Sequence, residues 1–152
     1  MMEAKKLRPE VRAALLEVWQ KSQRDGNEHM VVLDPKTLEV AGRSSGDARS
    51  VETPKECQRP DTQWIVIHSH PGPPNSLSLQ DLCCAANFGG IVAAITDDQM
   101  VYAAKPHAGP NTIWTQGLIH GCVTGGANQH ADNLKLEKLG LIDYEYGKLE
   151  EA

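Results

Sequence analysis

Two histidines, His68 and His70, stand two positions apart at the end of an apolar stretch that predicts a buried strand. Side chains at positions i and i+2 leave the same face of a strand, so the two imidazoles project side by side. Their backbones lie about 6–7 Å apart if each residue rises about 3.3 Å. Pro71 disfavours the helical region for His70 and ends the strand there. This pair of rings is suited to chelate one metal ion.

A carboxylate follows these histidines at short range. Asp81 comes 11 residues after His70 and falls in the first turn of a predicted helix, where the helix dipole stabilises negative charge. The stretch between them is rich in proline and glycine and turns the chain back toward the strand end. Two histidines and one carboxylate make three protein ligands, the number typical of a catalytic zinc site that keeps one position open for water. We therefore predict one zinc ion, with a bound water, on His68, His70 and Asp81.

Such a site needs a general base that is not a metal ligand. Zinc lowers the pKa of its bound water to about 7, and a nearby carboxylate can then accept the proton. Glu28 is the first choice, because it begins a predicted strand of the same sheet and can be held in place there. The alternatives, of which the last two lie in a polar loop, are Glu39, Glu52 and Glu56.

Ser78 is the remaining candidate for chemistry. Its hydroxyl could donate a hydrogen bond to the oxyanion that forms when water attacks a carbonyl. The stretch from Ser78 to Asp81 also has the spacing of a helix capping box, with a serine N-cap and an acidic residue three positions on. That local role explains the start of a helix and does not exclude metal ligation by Asp81.

Hydrophobic periodicity and turn residues predict the elements that must position these side chains. Helices are expected over residues 9–22, 78–88 and 129–139. Strands are expected over 28–33, 38–42, 63–68, 91–96 and 100–104, with a weaker strand near 112–114 and a last strand or ordered tail over 141–146. Residues 43–62 are polar and predict a loop with one edge strand at most. Helices and strands do not alternate regularly, so the fold class is α+β, or mixed α/β, with a central mixed sheet flanked by helices.

Length, charge and cysteine usage narrow the class of protein. The 152 residues suit one domain over positions 1–152, and the net charge of −5 makes nucleic acid a poor partner. No apolar run approaches the roughly 20 residues that span a bilayer, so a membrane partner is not expected. The four cysteines form no CxxC pair, and the first residues lack the apolar core of a secretory signal. A reducing cytoplasm is the predicted location.

The histidine stretch and the capping stretch together resemble the signature of the JAMM metalloproteases, also called MPN-plus or JAB domains. That signature is His-x-His-Pro followed at nearly constant distance by Ser-x-x-Asp, with an upstream glutamate on an early strand. The positions that match it are His68, His70, Pro71, Ser78 and Asp81. The similarity covers roughly residues 11–104 and implies the JAMM fold, which is cytidine-deaminase-like. It also implies zinc on the two histidines and Asp81, Glu28 as acid/base and Ser78 as oxyanion stabiliser.

Known members of that family are hydrolases that cleave isopeptide or peptide bonds next to ubiquitin or ubiquitin-like proteins. The resemblance therefore implies a deubiquitinase-like isopeptidase, and residues 28–34 resemble the compact bacterial and RadC-type versions. A compact chain has little room for the insertions that grip ubiquitin, so the expected substrate is a ubiquitin-like protein or a peptide tail. Two alternatives stay open: a cell-wall endopeptidase, and a non-catalytic RadC-like zinc module that works in an assembly. Many relatives work inside complexes, so a complex is a further expected partner.

Overall fold

The computed structural model describes residues 7–58, 62–72, 76–88, 90–107 and 128–149. Within these residues the chain forms three helices, six strands and one 3₁₀ turn at Lys55–Cys57. In chain order the helices and strands are α1 Pro9–Asp25, β1 His29–Leu33, β2 Val40–Ser45, β3 Ile65–His70, α2 Leu79–Phe88, β4 Ile91–Thr96, β5 Met100–Pro106, α3 Gln129–Lys138 and β6 Ile142–Lys148. The α+β prediction is confirmed.

The six strands form one mixed sheet in the order β2-β1-β3-β4-β5-β6. β3 and β4 run parallel, and every other neighbouring pair runs antiparallel. α2 lies in the connection between the two parallel strands, so the chain leaves β3 at its carboxyl end and enters α2 there. In open sheets with parallel strands this edge is where ligands bind.

α1 covers one face of the sheet. Pro9 suits the first turn, and Ala14, Leu15 and Val18 form a buried stripe at helical spacing. The helix extends past the predicted end at residue 22, because Gly26 supplies the left-handed cap that stops it, with φ 73° and its N–H on the Ser22 carbonyl. The buried stripe packs against β1, β3, β4 and β5 residues such as Val31, Leu33, Ile67, Ile95 and Val101.

The opposite face is covered by α2, α3 and the polar stretch after β2. Its largest cluster joins Leu82, Leu136 and Ile142, and a smaller one joins Met30, Val32 and Val66. Strand residues on this face alternate with those under α1, as the period of two requires. His68 pairs with Met30 across β1–β3 and therefore belongs to this second face.

Two strands are displaced from their predicted positions. β3 was expected over 63–68 but lies over Ile65–His70, because its parallel pairing with β4 continues to His70–Thr96. β2 was expected over 38–42 but lies over Val40–Ser45, because Leu38 adopts a left-handed turn conformation with φ 61°. Residues 141–146, predicted as strand or tail, lie mostly in β6.

Gly90 sets the close contact of β3 with β4. A Cβ atom at this position would lie 2.2 Å from the Trp64 carbonyl oxygen, so only glycine fits without a backbone shift. The neighbouring Ile91 N–H donates to the same carbonyl at 3.1 Å. The strand predicted near 112–114 lies outside the described residues. No helix in the described ranges is both long and apolar enough to cross a membrane.

Candidate metal centre

The two histidines of the predicted motif are the fourth and last residues of β3, and their rings converge. The Nε2 atoms lie 2.7 Å apart, with the ring planes at 74°. The His68 side chain is 2% exposed and the His70 side chain 12%. Both Nδ1 atoms are buried and have no hydrogen-bond partner among the described residues, where the polar contacts of the two rings are made at Nε2. The two Nε2 atoms therefore converge on one place.

Asp81 closes this arrangement from the first turn of α2. Its Oδ1 lies 3.3 Å from His68 Nε2, and its Oδ2 lies 3.3 Å from His70 Nε2. In a tetrahedral zinc site with bonds of about 2.0–2.1 Å, two ligand atoms are about 3.3 Å apart. Each Asp81 distance equals this length, but the two contacts are made by different oxygens. Binding of one ion would therefore require the carboxylate to turn and the two Nε2 atoms to separate by about 0.6 Å.

The ionisation of Asp81 also suits a ligand. Burial by itself raises the pKa of the Asp81 carboxyl, but the charges and hydrogen bonds of His68 and His70 outweigh burial. The pKa therefore lies well below its ordinary value, and the carboxylate carries its charge at neutral pH.

The predicted capping box is present. The Asp81 N–H donates to Ser78 Oγ at 3.1 Å, and the Ser78 N–H donates to Asp81 Oδ2 at 2.9 Å. In this reciprocal pair, the Ser78 N–H holds the carboxylate of Asp81 by Oδ2, which is the oxygen near His70. Because the Ser78 oxygen accepts a hydrogen bond from the Asp81 N–H, the hydroxyl hydrogen of Ser78 points away from that N–H. Ser78 lines the same cleft as the histidines.

Glu28 reaches the histidines because of the strand register. β1 pairs with β3 antiparallel, with Met30 opposite His68. Carrying this register two residues further places Glu28 opposite His70 and on the same face of the sheet. One ligand atom each of Glu28, His68 and His70 lies within 4.8 Å of the others.

Glu28 is held by backbone and buried by its surroundings. Its N–H donates to the Asp47 carbonyl at 2.7 Å, and its own carbonyl accepts from the Gly46 N–H at 2.9 Å. The residue is 8% exposed. Burial raises the pKa of the carboxyl to about 7; His70 opposes the shift, while the charges of Asp81 and Asp47 add to it. A carboxyl with this pKa can both accept and release a proton near neutral pH.

Sequence reasoning missed the residues that align β1 with β3. Ser69, between the two histidines, accepts a hydrogen bond from the His29 N–H at 2.9 Å. The His29 ring is itself held by Ser45 Oγ at 2.8 Å and by the Asp25 carboxylate at 2.8 Å. These contacts fix the strand start that carries Glu28. The alternation around His68 and His70 put Ser69 on the opposite face, but no local signal joined it to His29.

A second missed residue supports the chain just after His70. Asp97, in the turn between β4 and β5, accepts from the Gly72 N–H through Oδ2 at 2.9 Å and from Gln23 Nε2 through Oδ1 at 2.8 Å. Gly72 has φ 95°, a conformation that favours glycine. The carboxylate of Asp97 therefore ties the segment that leaves His70 to α1.

These side chains line one cleft of about 1350 Å³. The segment 48–53 after β2 forms one wall, and the first turn of α2 with Pro71 and Gly72 forms another. Among the alternative bases, Glu52 lines the cleft, whereas Glu39 and Glu56 are exposed outside its lining. Glu28 and Glu52 thus remain the glutamates that a bound substrate could meet.

Two overlapping ligand sets can hold a metal here. One is His68, His70 and Asp81, and the other is His68, His70 and Glu28. Nitrogen and carboxylate oxygen donors suit zinc but also other divalent ions of the first transition series. The structure thus brings together all five predicted site residues, and their roles stay predictions. No protein-family model, curated protein or solved structure matches this chain.

Proposed function

We propose that this protein is a zinc-dependent peptidase or isopeptidase of the JAMM type, which hydrolyses a bond in a peptide tail or next to a ubiquitin-like protein. One observation carries the proposal: a buried glutamate faces two convergent histidines whose Nε2 atoms both contact one aspartate. Three ligands with an adjacent base that is not needed for ligation are what metal-assisted hydrolysis requires.

His68, His70 and Asp81 are assigned as the metal ligands. When bound, the ion supplies an ionisable water at neutral pH and polarises the scissile carbonyl. Glu28 would accept the proton of the attacking water and deliver it to the leaving amine, which its burial beside the two histidines supports. The Ser78 hydroxyl donates to the developing oxyanion from its place at the helix start.

The cleft supports a polypeptide substrate. Its lining mixes apolar side chains such as Val51 with polar ones such as Gln80. An extended segment of a few residues fits a cleft of this size. A reducing compartment, the cytoplasm, is part of the same proposal, because Cys57 and Cys84 are unbridged thiols.

A second candidate is a metal-binding module without hydrolytic activity. The observation that favours it is the position of Glu28, which is close enough to His68 and His70 to serve as a ligand itself. A glutamate consumed by ligation leaves the water without a base. The two candidates therefore differ in what Glu28 does.

Variants of Glu28 separate them. Glu28→Gln is expected to keep one zinc ion per chain and to lose cleavage by about 10²–10⁴-fold, since a positioned base contributes this much. His70→Ala is expected to lose the metal. Glu39→Gln, an exposed glutamate outside the cleft, is the matched control and should keep both properties. Zinc content is measured by elemental analysis, and turnover on a panel of ubiquitin-like fusions and short peptides, with and without chelator.

The outcomes point in different directions. Full activity in Glu28→Gln contradicts the base assignment and turns attention to Glu52, the alternative glutamate that lines the cleft. Loss of zinc in Glu28→Gln makes Glu28 a ligand and favours the non-catalytic module. A wild-type protein that binds zinc but cleaves nothing in the panel argues in the same direction.

A further inference from the structure

α3 carries a polar side chain in an apolar core. Within Gln129–Lys138 the buried residues are Asn133 and Leu136, each 1% exposed or less. An amide in such a place costs free energy unless its hydrogen bonds are made. The partners of this amide are therefore informative about why an asparagine stands there.

Both hydrogen bonds from the Asn133 amide go to the short segment that leads into α2. Its Nδ2 donates to Ser76 Oγ at 3.0 Å and to the Leu77 carbonyl at 3.0 Å. Ser76 and Leu77 are 2% and 1% exposed. The residue that follows them is Ser78, the N-cap that holds Asp81. One side chain of α3 thus binds both residues that precede Ser78, one through its hydroxyl and the other through its carbonyl.

The contact continues as a chain of hydrogen bonds. Ser76 Oγ lies 2.5 Å from Tyr144 Oη, and Tyr144 Oη lies 2.8 Å from His130 Nδ1. The Tyr144 N–H is in turn held by the Glu137 carboxylate at 2.9 Å. Asn133, Ser76, Tyr144 and His130 are thus joined in series by hydrogen bonds, which favours one arrangement of the Ser76–Leu77 segment.

We propose that Asn133 is a positioning residue of the metal centre, acting through Ser76 and Leu77 to hold Ser78 and Asp81 at their distance from His68 and His70. The inference rests on the proposed function of the same site. His68 and His70 are fixed by β3, whereas Asp81 is fixed by the start of α2, so their separation depends on what holds that start. Residues that orient ligands from outside commonly change metal affinity or activity by about 10–100-fold.

The test compares Asn133→Ala with Val18→Ala. Val18 is fully buried in the core under α1, so its truncation lowers stability without touching the Ser76–Leu77 segment. Asn133→Ala is expected to weaken zinc affinity about 10-fold or more and to lower kcat with little change in KM. Val18→Ala is expected to keep the wild-type zinc Kd and kcat. Zinc affinity is measured by competition with a chelating dye on folded protein, which needs no substrate.

Ser76→Ala is the second variant and is used if Asn133→Ala does not fold. It removes the hydroxyl that joins Asn133 to Tyr144 but keeps the bond to the Leu77 carbonyl, so a smaller loss of zinc affinity is expected. Wild-type zinc affinity in Asn133→Ala, or in Ser76→Ala where that variant stands in, overturns this inference and leaves the proposed function intact. A wild-type chain that binds no zinc overturns the proposed function, and the inference with it.

Discussion

One oxygen of Asp81, Oδ2, takes part both in the helix cap and in the contact with His70. Oδ2 accepts from the Ser78 N–H, while both oxygens contact a histidine Nε2. The capping geometry therefore holds the carboxylate beside the two histidines, where we propose that it binds the metal. The contact that caps the helix is thus also the contact that orients the proposed metal ligand.

Ser78 allows the two roles to be separated. Ser78→Ala is expected to lower kcat about 10²-fold, because an oxyanion donor is lost, with KM nearly unchanged. It also removes the N-cap and should cost about 1 kcal/mol of stability. Ser78→Thr keeps a hydroxyl and is the matched control. Equal kcat values in the two variants would assign Ser78 to capping alone. Steady-state kinetics and urea unfolding give the two readouts.

The candidate site residues could be predicted from their spacing in the sequence, but the hydrogen bonds that hold them in place could not. Paired histidines, a carboxylate 11 residues on and a glutamate at a strand start are local features. The contacts of Ser69 with His29, Gly72 with Asp97 and Leu77 with Asn133 join residues 40, 25 and 56 positions apart. No periodicity encodes such pairs, because they depend on which strands become neighbours.

At the scale of elements, the helices and the β4–β5 hairpin lie close to their predicted ranges, whereas β2 and β3 are displaced. β3 was expected from residue 63, but its pairing with β4 begins at Ile65, which lies opposite Ile91. Tertiary pairing thus decided the strand limits. Because of this shift, both histidines lie within the strand, and the pairing of the sheet fixes their backbone.

A substitution of Gly90 tests whether the pairing of β3 with β4 positions the histidines. Gly90→Ala places a Cβ against the Trp64 carbonyl oxygen, so β4 has to move away from β3. We expect a loss of roughly 2–3 kcal/mol in the free energy of unfolding, with weaker zinc binding. Gly26→Ala is the control: it has φ 73° and open space around it, so the expected cost is about 1 kcal/mol, with zinc affinity unchanged. Comparable losses in both variants would contradict the close-contact explanation.

The end of β5 is tied to β6 by a titratable contact. His107 Nδ1 lies 2.7 Å from the Gly140 carbonyl and Nε2 lies 2.9 Å from Asp143 Oδ1, and these two contacts, in that order, raise the pKa of His107. A raised pKa in the folded state stabilises the protein below about pH 6.5, and the effect is lost as pH rises through the folded pKa.

His107→Ala should therefore destabilise the protein more at pH 5.5 than at pH 8.5. The comparison is made by urea unfolding, and Asp143→Asn should reduce the same pH dependence, because it removes the charged partner. Since the imidazole is 45% exposed, solvent screens the interaction and the difference will be modest. Identical losses at the two pH values would show that the charge of His107 is not involved.

At the scale of the whole molecule, a metal at this site would join parts of the chain that pack on different elements. β3 contacts α1, β1 and β4, while the start of α2 is held through α3 and β6. A ligand bound only by the folded state stabilises that state in proportion to the logarithm of its concentration. Metal removal should therefore be visible in global stability.

Zinc at about 100 times its Kd is expected to add about 2.7 kcal/mol to the free energy of unfolding. For a chain of this size that is a rise in Tm of roughly 5–10 °C, measured by scanning calorimetry with zinc or with chelator. His70→Ala should show no rise, whereas His107→Ala, a histidine outside the cleft, should keep it. A rise that persists in His70→Ala would place the ion elsewhere.

The antiparallel pairing of β1 with β3 has a consequence for any change to these strands. Because neighbouring side chains alternate between faces, an odd-numbered insertion in β1 would send the Glu28 carboxylate beneath α1. An even-numbered insertion would restore the face but carry the carboxylate about 7 Å along the strand. Neither kind of length change would preserve the proton transfer that we propose for Glu28, so homologues that share this chemistry should differ in the length of their turns and not of these two strands.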